Sequence, residues 1–206
     1  MAKELFLTSY LAGTKDLVKE FLDGSTVENV AFIQTAADVE EYRGYVDEAW
    51  QVFRELGYGI DLLDVPDMQR NDIVEALDGC RCLYVSGGNT FYLLQELKRK
   101  DLMPYLAKRV LGGMRYIGES AGAIVASKDI EYNQIMDDRS AAPDLTDFGG
   151  LSLVDFYVLP HNGEFPFVES TAETIKVYGD TLDLLPIDNS EAVIVRGGDF
   201  VVKRQG

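Results

Sequence analysis

A chain of 206 residues, 47% hydrophobic and 11% aromatic, carries enough apolar material to bury a sizeable core and too much to stay disordered. Its 19 basic and 35 acidic residues leave a formal charge of −16, which argues against nucleic acid or an anionic membrane as a partner because phosphates would be repelled. No apolar run approaches the roughly 20 residues of a membrane span, and no basic region with an apolar core and cleavage site opens the chain, so a cytoplasmic protein is expected.

In chain order, a short apolar strand at 4–9 precedes a helical pattern at 14–22. A strand at 29–34 leads into a long helix at 39–56. In that helix Tyr42, Tyr45, Val46, Ala49, Trp50 and Phe53 recur at spacings of three and four, which reads as a core-facing stripe. Next come a strand at 59–64, a helix at 71–77, a strand at 81–86 and helices at 90–98 and 102–111. A strand at 115–118 runs into a helix at 121–127. Residues 137–150, rich in Asp, Pro and Gly, read as one long loop, and loops of that length are often functional. A strand at 155–159, a helix at 168–178 and a strand at 182–187 follow. The chain then shows strands at 192–196 and 200–203 around Gly197-Gly198-Asp199, a hairpin signal.

Alternating strands and helices predict one α/β domain over 1–206. Its sheet is expected to be mostly parallel, doubly wound and covered on both faces, with a C-terminal β-hairpin. The two cysteines, Cys80 and Cys82, are too close in sequence for an ordinary disulfide between elements and read as reduced thiols. No further ligands accompany them, so neither metal nor cofactor is expected.

The chemistry concentrates at Gly118-Glu119-Ser120-Ala121-Gly122-Ala123, which follows the apolar run Met114-Arg115-Tyr116-Ile117 and opens a helix. Gly-x-Ser-x-Gly between strand and helix is the context of a nucleophile elbow, where only small neighbours fit the turn. A serine hydroxyl needs a base, and the chain has a single histidine, His161, at the end of the predicted strand 155–159. Both residues end strands, so both can face the crevice at the strands' carboxyl ends. The bland readings are a serine that only caps the following helix and a lone structural histidine.

An imidazole base needs an acidic partner to fix its tautomer. Asp188, after Leu184-Leu185-Pro186-Ile187 and before the turn Asn189-Ser190, is the first candidate. Glu164 is the rival, and Glu119, beside the serine, is expected to point elsewhere. A second glycine turn, Ser86-Gly87-Gly88-Asn89-Thr90-Phe91, follows a strand and opens a helix. The backbone N–H groups of Gly88 and Ala121 can supply the two donors that an oxyanion needs. Asn89 and Glu164 are the candidate substrate contacts. A phosphate-binding reading of this turn fails, because it lacks both the P-loop lysine and the dinucleotide-binding glycine spacing. The order serine, histidine, acid also differs from that of the α/β-hydrolases.

Gly87-Gly88-Asn89-Thr90-Phe91, Gly118-Glu119-Ser120-Ala121-Gly122-Ala123 and Leu159-Pro160-His161 occur in the order and spacing of the S51 serine peptidases, a family that includes peptidase E and cyanophycinase. The chain resembles that family from the first strand to the final hairpin. The resemblance implies a flavodoxin-like fold akin to class I glutamine amidotransferases, although those carry cysteine at the elbow where this chain has Ser120. It implies Ser120 as nucleophile, His161 as base, and Gly88 and Ala121 as oxyanion donors. It aligns the family's acidic third member, a glutamate in peptidase E, with Asp188. The chain departs from peptidase E after the histidine. Asn162-Gly163-Glu164-Phe165-Pro166-Phe167 holds no basic residue, and none follows before Lys176. Glu164 would repel an aspartyl side chain, so aspartyl specificity is not carried over.

The reading that results is a serine-type peptidase of dipeptidase or exopeptidase character. It acts on short peptides through a Ser-His-Asp/Glu triad and an acyl-enzyme, with a homodimer as its candidate assembly. The alternatives are the same machinery acting on an ester or a non-peptide amide, and a binding homologue without catalysis.

Overall fold

The computed structural model describes residues 2–206. Seven strands form one sheet in the order β3-β2-β4-β5-β1-β8-β9, and a separate parallel pair joins β6 (Tyr157–Leu159) to β7 (Leu184–Pro186). The parallel part comprises β1 (Glu4–Thr8), β2 (Asn29–Ile33), β3 (Gly59–Leu63), β4 (Cys82–Val85) and β5 (Arg115–Glu119). The last two strands, β8 (Glu191–Arg196) and β9 (Asp199–Arg204), form the expected hairpin, and β8 runs antiparallel to β1.

Side chains on a strand alternate between the two faces, and here both faces are buried. On β1, β2 and β4, Leu5, Leu7, Ala31, Ile33, Leu83 and Val85 face one apolar cluster, while Phe6, Val30, Phe32, Cys82 and Tyr84 face the other. The first cluster packs under α3 (Arg70–Gly79), α4 (Thr90–Arg99), α5 (Met103–Leu111) and α6 (Ala121–Ile124). The second packs under α1 (Lys15–Leu22) and α2 (Gly44–Glu55). Burial on both faces explains why these strands read as continuous apolar runs rather than alternating ones. No helix among the described residues is long and apolar enough to cross a membrane.

Two differences from the sequence reading shape the site. The predicted helix 39–56 begins only at Gly44, after a 3-10 turn at Thr35–Ala37 and a loop. Tyr42, read as core, is 70% exposed, while Val46, Ala49 and Phe53 are buried as expected. The long loop carries a single 3-10 turn, Arg139–Ala141, and the helix expected at 121–127 stops at Ile124. The chain winds outward from β2 to β3 and inward from β4 through β5 to β1's side. Such a reversal leaves a crevice at the carboxyl ends of the strands.

Candidate active site

The turns that leave β1, β2, β4 and β5 meet in a cavity of about 630 Å³. Ser120 sits at its floor, directly after β5, with φ 48° and ψ −106°. A non-glycine residue in that region is strained, and such strain needs a rigid surround. The surround is steric. A Cβ on Gly118 would lie 2.5 Å from the Gly122 carbonyl oxygen, and one on Gly122 would lie 2.2 Å from that of Val85. The Ser120 N–H is fixed by the Thr8 carbonyl at 2.9 Å. Its side chain makes no capping bond to α6, so the capping role is not realised. Instead the Ser120 Oγ lies 3.0 Å from His161 Nε2.

His161 follows β6 and also has positive φ, at 60°. Its N–H donates to Ser9 Oγ at 3.0 Å, and the Ser9 hydroxyl donates to the Ile187 carbonyl at 3.1 Å. Its ring stacks on Phe167, with centroids 4.7 Å apart. The far nitrogen, Nδ1, meets Asn189 Oδ1 at 2.7 Å. Because an amide oxygen only accepts, this contact places the proton on Nδ1 and leaves Nε2 free to accept from the serine hydroxyl.

The expected pairing of His161 with Asp188 is thereby corrected. The Asp188 carboxylate accepts from the Ser190 N–H at 2.8 Å, from the Ser190 hydroxyl at 2.7 Å and from Arg204 at 2.7 Å. Its own turn and β9 satisfy it, and the imidazole is left to the next residue. The rival Glu164 is displaced too. It is half-exposed, does not line the cavity, and its N–H closes a turn onto the His161 carbonyl. As a candidate substrate contact Glu164 therefore stands outside the site. Asn89 does line the cavity, yet its side chain is already engaged. Its Oδ1 caps α4 at the Tyr92 N–H, and its Nδ2 donates to the Asp138 carbonyl.

The second glycine turn packs against the elbow. A Cβ on Gly87 would come within 3.2 Å of the Ser120 Cβ. Gly88 has φ +124°, and a Cβ there would lie 2.2 Å from the Ala36 carbonyl oxygen, so only glycine fits. Among the described residues no hydrogen bond occupies the N–H of Gly88 or of Ala121.

The model of peptidase family S51 matches residues 4–203. The chain belongs to peptidase family S51. An uncharacterized peptidase from Pasteurella multocida (strain Pm70) is 42% identical over 98% of this chain and 97% of its own length. A peptidase E from Nostoc sp. is 32% identical over 78% of this chain and 66% of its own. A crystal structure described as a candidate peptidase E protein from Listeria monocytogenes EGD-e superposes with a TM-score of 0.95 at 38% identity, covering all of both chains.

The S51 cavity of this chain is acidic. Glu40, Glu48, Glu119, Asp137 and Asp138 line it, and no lysine or arginine does. Glu119 points away from the His161 imidazole, as the sequence suggested. It is 2% exposed, accepts from the Leu11 N–H at 2.9 Å and from the Tyr84 hydroxyl, and is among the residues that line the cavity. Burial pushes its carboxyl up to about 7, against the opposing pull of those two hydrogen bonds. Burial likewise raises Asp137 to about 6, although its Oδ2 accepts from the Thr90 N–H and from Asn133 Nδ2, both at 2.7 Å. His161 moves the opposite way. Burial holds its pKa below the ordinary histidine value, while Asn189 and Glu164 pull it up.

Sequence reasoning missed Asn189, Glu119, Glu48 and Tyr45 as parts of this site. Asn189 carried a weak signal, as a polar residue just beyond a strand end. Tyr45 packs against the core, as its helical spacing implied, and lines the cavity as well.

Proposed function

We propose that this chain is a serine-type peptidase that hydrolyses short peptides through an acyl-enzyme. The observation that carries this reading is the 3.0 Å contact between Ser120 Oγ and His161 Nε2 on a strained strand–helix turn. His161, kept neutral by burial, takes the hydroxyl proton as Ser120 attacks the scissile carbonyl. The Gly88 and Ala121 N–H groups receive the developing oxyanion, and His161 then protonates the leaving amine. Water, deprotonated by the same imidazole, releases the acid product. Asn189 orients the ring through Nδ1 without a charge of its own. The pair differs here from a triad with a carboxylate, which also stabilises the imidazolium. The cavity's size falls within the roughly 300–1,000 Å³ of small-ligand sites, in keeping with short substrates.

The test is a mass-spectrometric cleavage screen of a mixed di- to hexapeptide library with wild type and Ser120→Ala in parallel. Cleavage by wild type alone is the expected result. Equal cleavage by both proteins, or none by either, contradicts the reading.

A further inference from the structure

The walls of the cavity have an unbalanced electrostatic composition. Five carboxylates line it, and the side-chain nitrogens among its lining residues belong to His161, Asn89, Asn133 and Asn189. Burial disfavours the charged imidazole, so the histidine adds little positive charge at neutral pH. The carboxylates also sense one another across a shared space. Burial raises the pKa of Glu119, Asp137 and Tyr45, and neighbouring carboxylates add to it: Glu48 at Glu119, Glu40 at Asp137, and Glu40, Glu119 and Asp137 at Tyr45. The nearest arginine to Tyr45 in these couplings, Arg43, is tied to Asp38 at 3.2 Å and does not line the cavity. Burying carboxylates without a cation costs free energy unless something brings a compensating charge.

An independent observation points to a donor as the missing partner. Asn133 is fully buried, lines the cavity, and spends its Nδ2 on Thr90 and Asp137. Its Oδ1 has no hydrogen-bond partner, and neither has the buried Tyr45 hydroxyl. Buried acceptors left unpaired are rare in folded proteins and call for an explanation. An ammonium or guanidinium group supplies N–H donors and positive charge together.

We propose that the cavity selects short peptides that carry a positive charge, held by Glu48 and Asp137 beside the Ser120–His161 pair. That the ligand is a peptide rests on the serine-peptidase reading above; that it is cationic rests on the cavity walls. The cation is an alkylammonium or guanidinium, and it has two sources: the free α-amino group of the peptide, or a lysine or arginine side chain. An aspartyl side chain would add negative charge to a wall that offers no lysine or arginine.

Binding to Ser120→Ala separates this claim from catalysis. Isothermal titration calorimetry is run with Lys-Ala, norleucine-Ala and Asp-Ala, each with a free and with an acetylated amino terminus. A lysine side chain as the source predicts that Lys-Ala binds at least about tenfold tighter than norleucine-Ala, acetylated or not. The α-amino group as the source predicts a loss of about tenfold or more on acetylation for every peptide. In either case the preference shrinks in Glu48→Gln and at high salt. Equal affinity for cationic and neutral peptides, tighter binding of Asp-Ala, or no binding by any of the six overturns the proposal. Hydrolysis by wild type without a cationic preference would overturn the inference and leave the peptidase reading standing.

Discussion

Glu119 holds a carboxyl group inside the protein, and its replacement by glutamine has a calculable consequence. In the folded state the group titrates at about 7, against 4.5 as its ordinary value. Between those values the folded protein keeps a proton that the unfolded chain has released, so stability falls as pH rises through that window. Below it the carboxyl is neutral in both states and costs nothing. Above it the full penalty applies, about 3 kcal/mol at 1.36 kcal/mol for each unit of difference. Glutamine has nearly the same shape and does not ionise. Its Oε1 can accept from the Leu11 N–H, and its Nε2 can donate to the Tyr84 hydroxyl oxygen, which reverses the direction of that bond. Glu119→Gln is therefore expected to stabilise the protein by about 3 kcal/mol at pH 8 and by only about 1 kcal/mol at pH 5. Urea denaturation of both proteins at the two pH values measures the difference directly. A variant no more stable than wild type at pH 8, or a gain that does not change with pH, would refute the reasoning.

Other consequences follow from the geometry around His161 and Ser120. Asn189→Ala removes the acceptor at Nδ1 and should lower kcat about fivefold, with a smaller effect on KM, as expected for a lost orienting bond of about 1 kcal/mol. Asn189→Asp places a carboxylate against the imidazole and should move the acid limb of the kcat/KM profile to higher pH. In the wild type that limb should fall below pH 6.5, since burial disfavours the charged ring and leaves the base active at lower pH. A midpoint above 6.5 would contradict the assignment of the lowered pKa. Gly88→Ala forces a Cβ to within 2.2 Å of the Ala36 carbonyl oxygen and displaces a proposed oxyanion donor. Its kcat/KM should drop about a hundredfold, with circular dichroism confirming that the fold is retained. Near-normal activity in that variant would remove Gly88 from the oxyanion role.

The sheet was legible because each of its central strands is buried on both faces and therefore forms an unbroken apolar run. Gly118, Gly122 and Gly88 were legible because close backbone contacts admit no other residue, and that requirement shows in a single sequence. Asn189 was not, because what fixes it is three-dimensional. The turn after β7 closes Asp188 on Ser190, and β9 brings Arg204 onto the same carboxylate from 16 residues away. The carboxylate is thus consumed, and the neutral amide beside it reaches the imidazole. In a chain with 35 acidic residues, nothing local marks which ones remain free. Tyr42 misled for a related reason. Its spacing continues the apolar stripe of α2, but the helix starts at Gly44, so Tyr42 falls before it and becomes cavity wall. Glu119 was expected to point elsewhere than the imidazole, and it does: its carboxylate accepts from the Leu11 N–H and the Tyr84 hydroxyl.

The central claim is that Ser120 is an activated nucleophile. The most direct measurement is intact-protein mass spectrometry after treatment with a fluorophosphonate, followed by peptide mapping of the adduct. The account predicts one adduct, on Ser120, formed by wild type at pH 8, absent in Ser120→Ala and strongly slowed in His161→Ala. No adduct on wild type, or one carried by another residue, would contradict it.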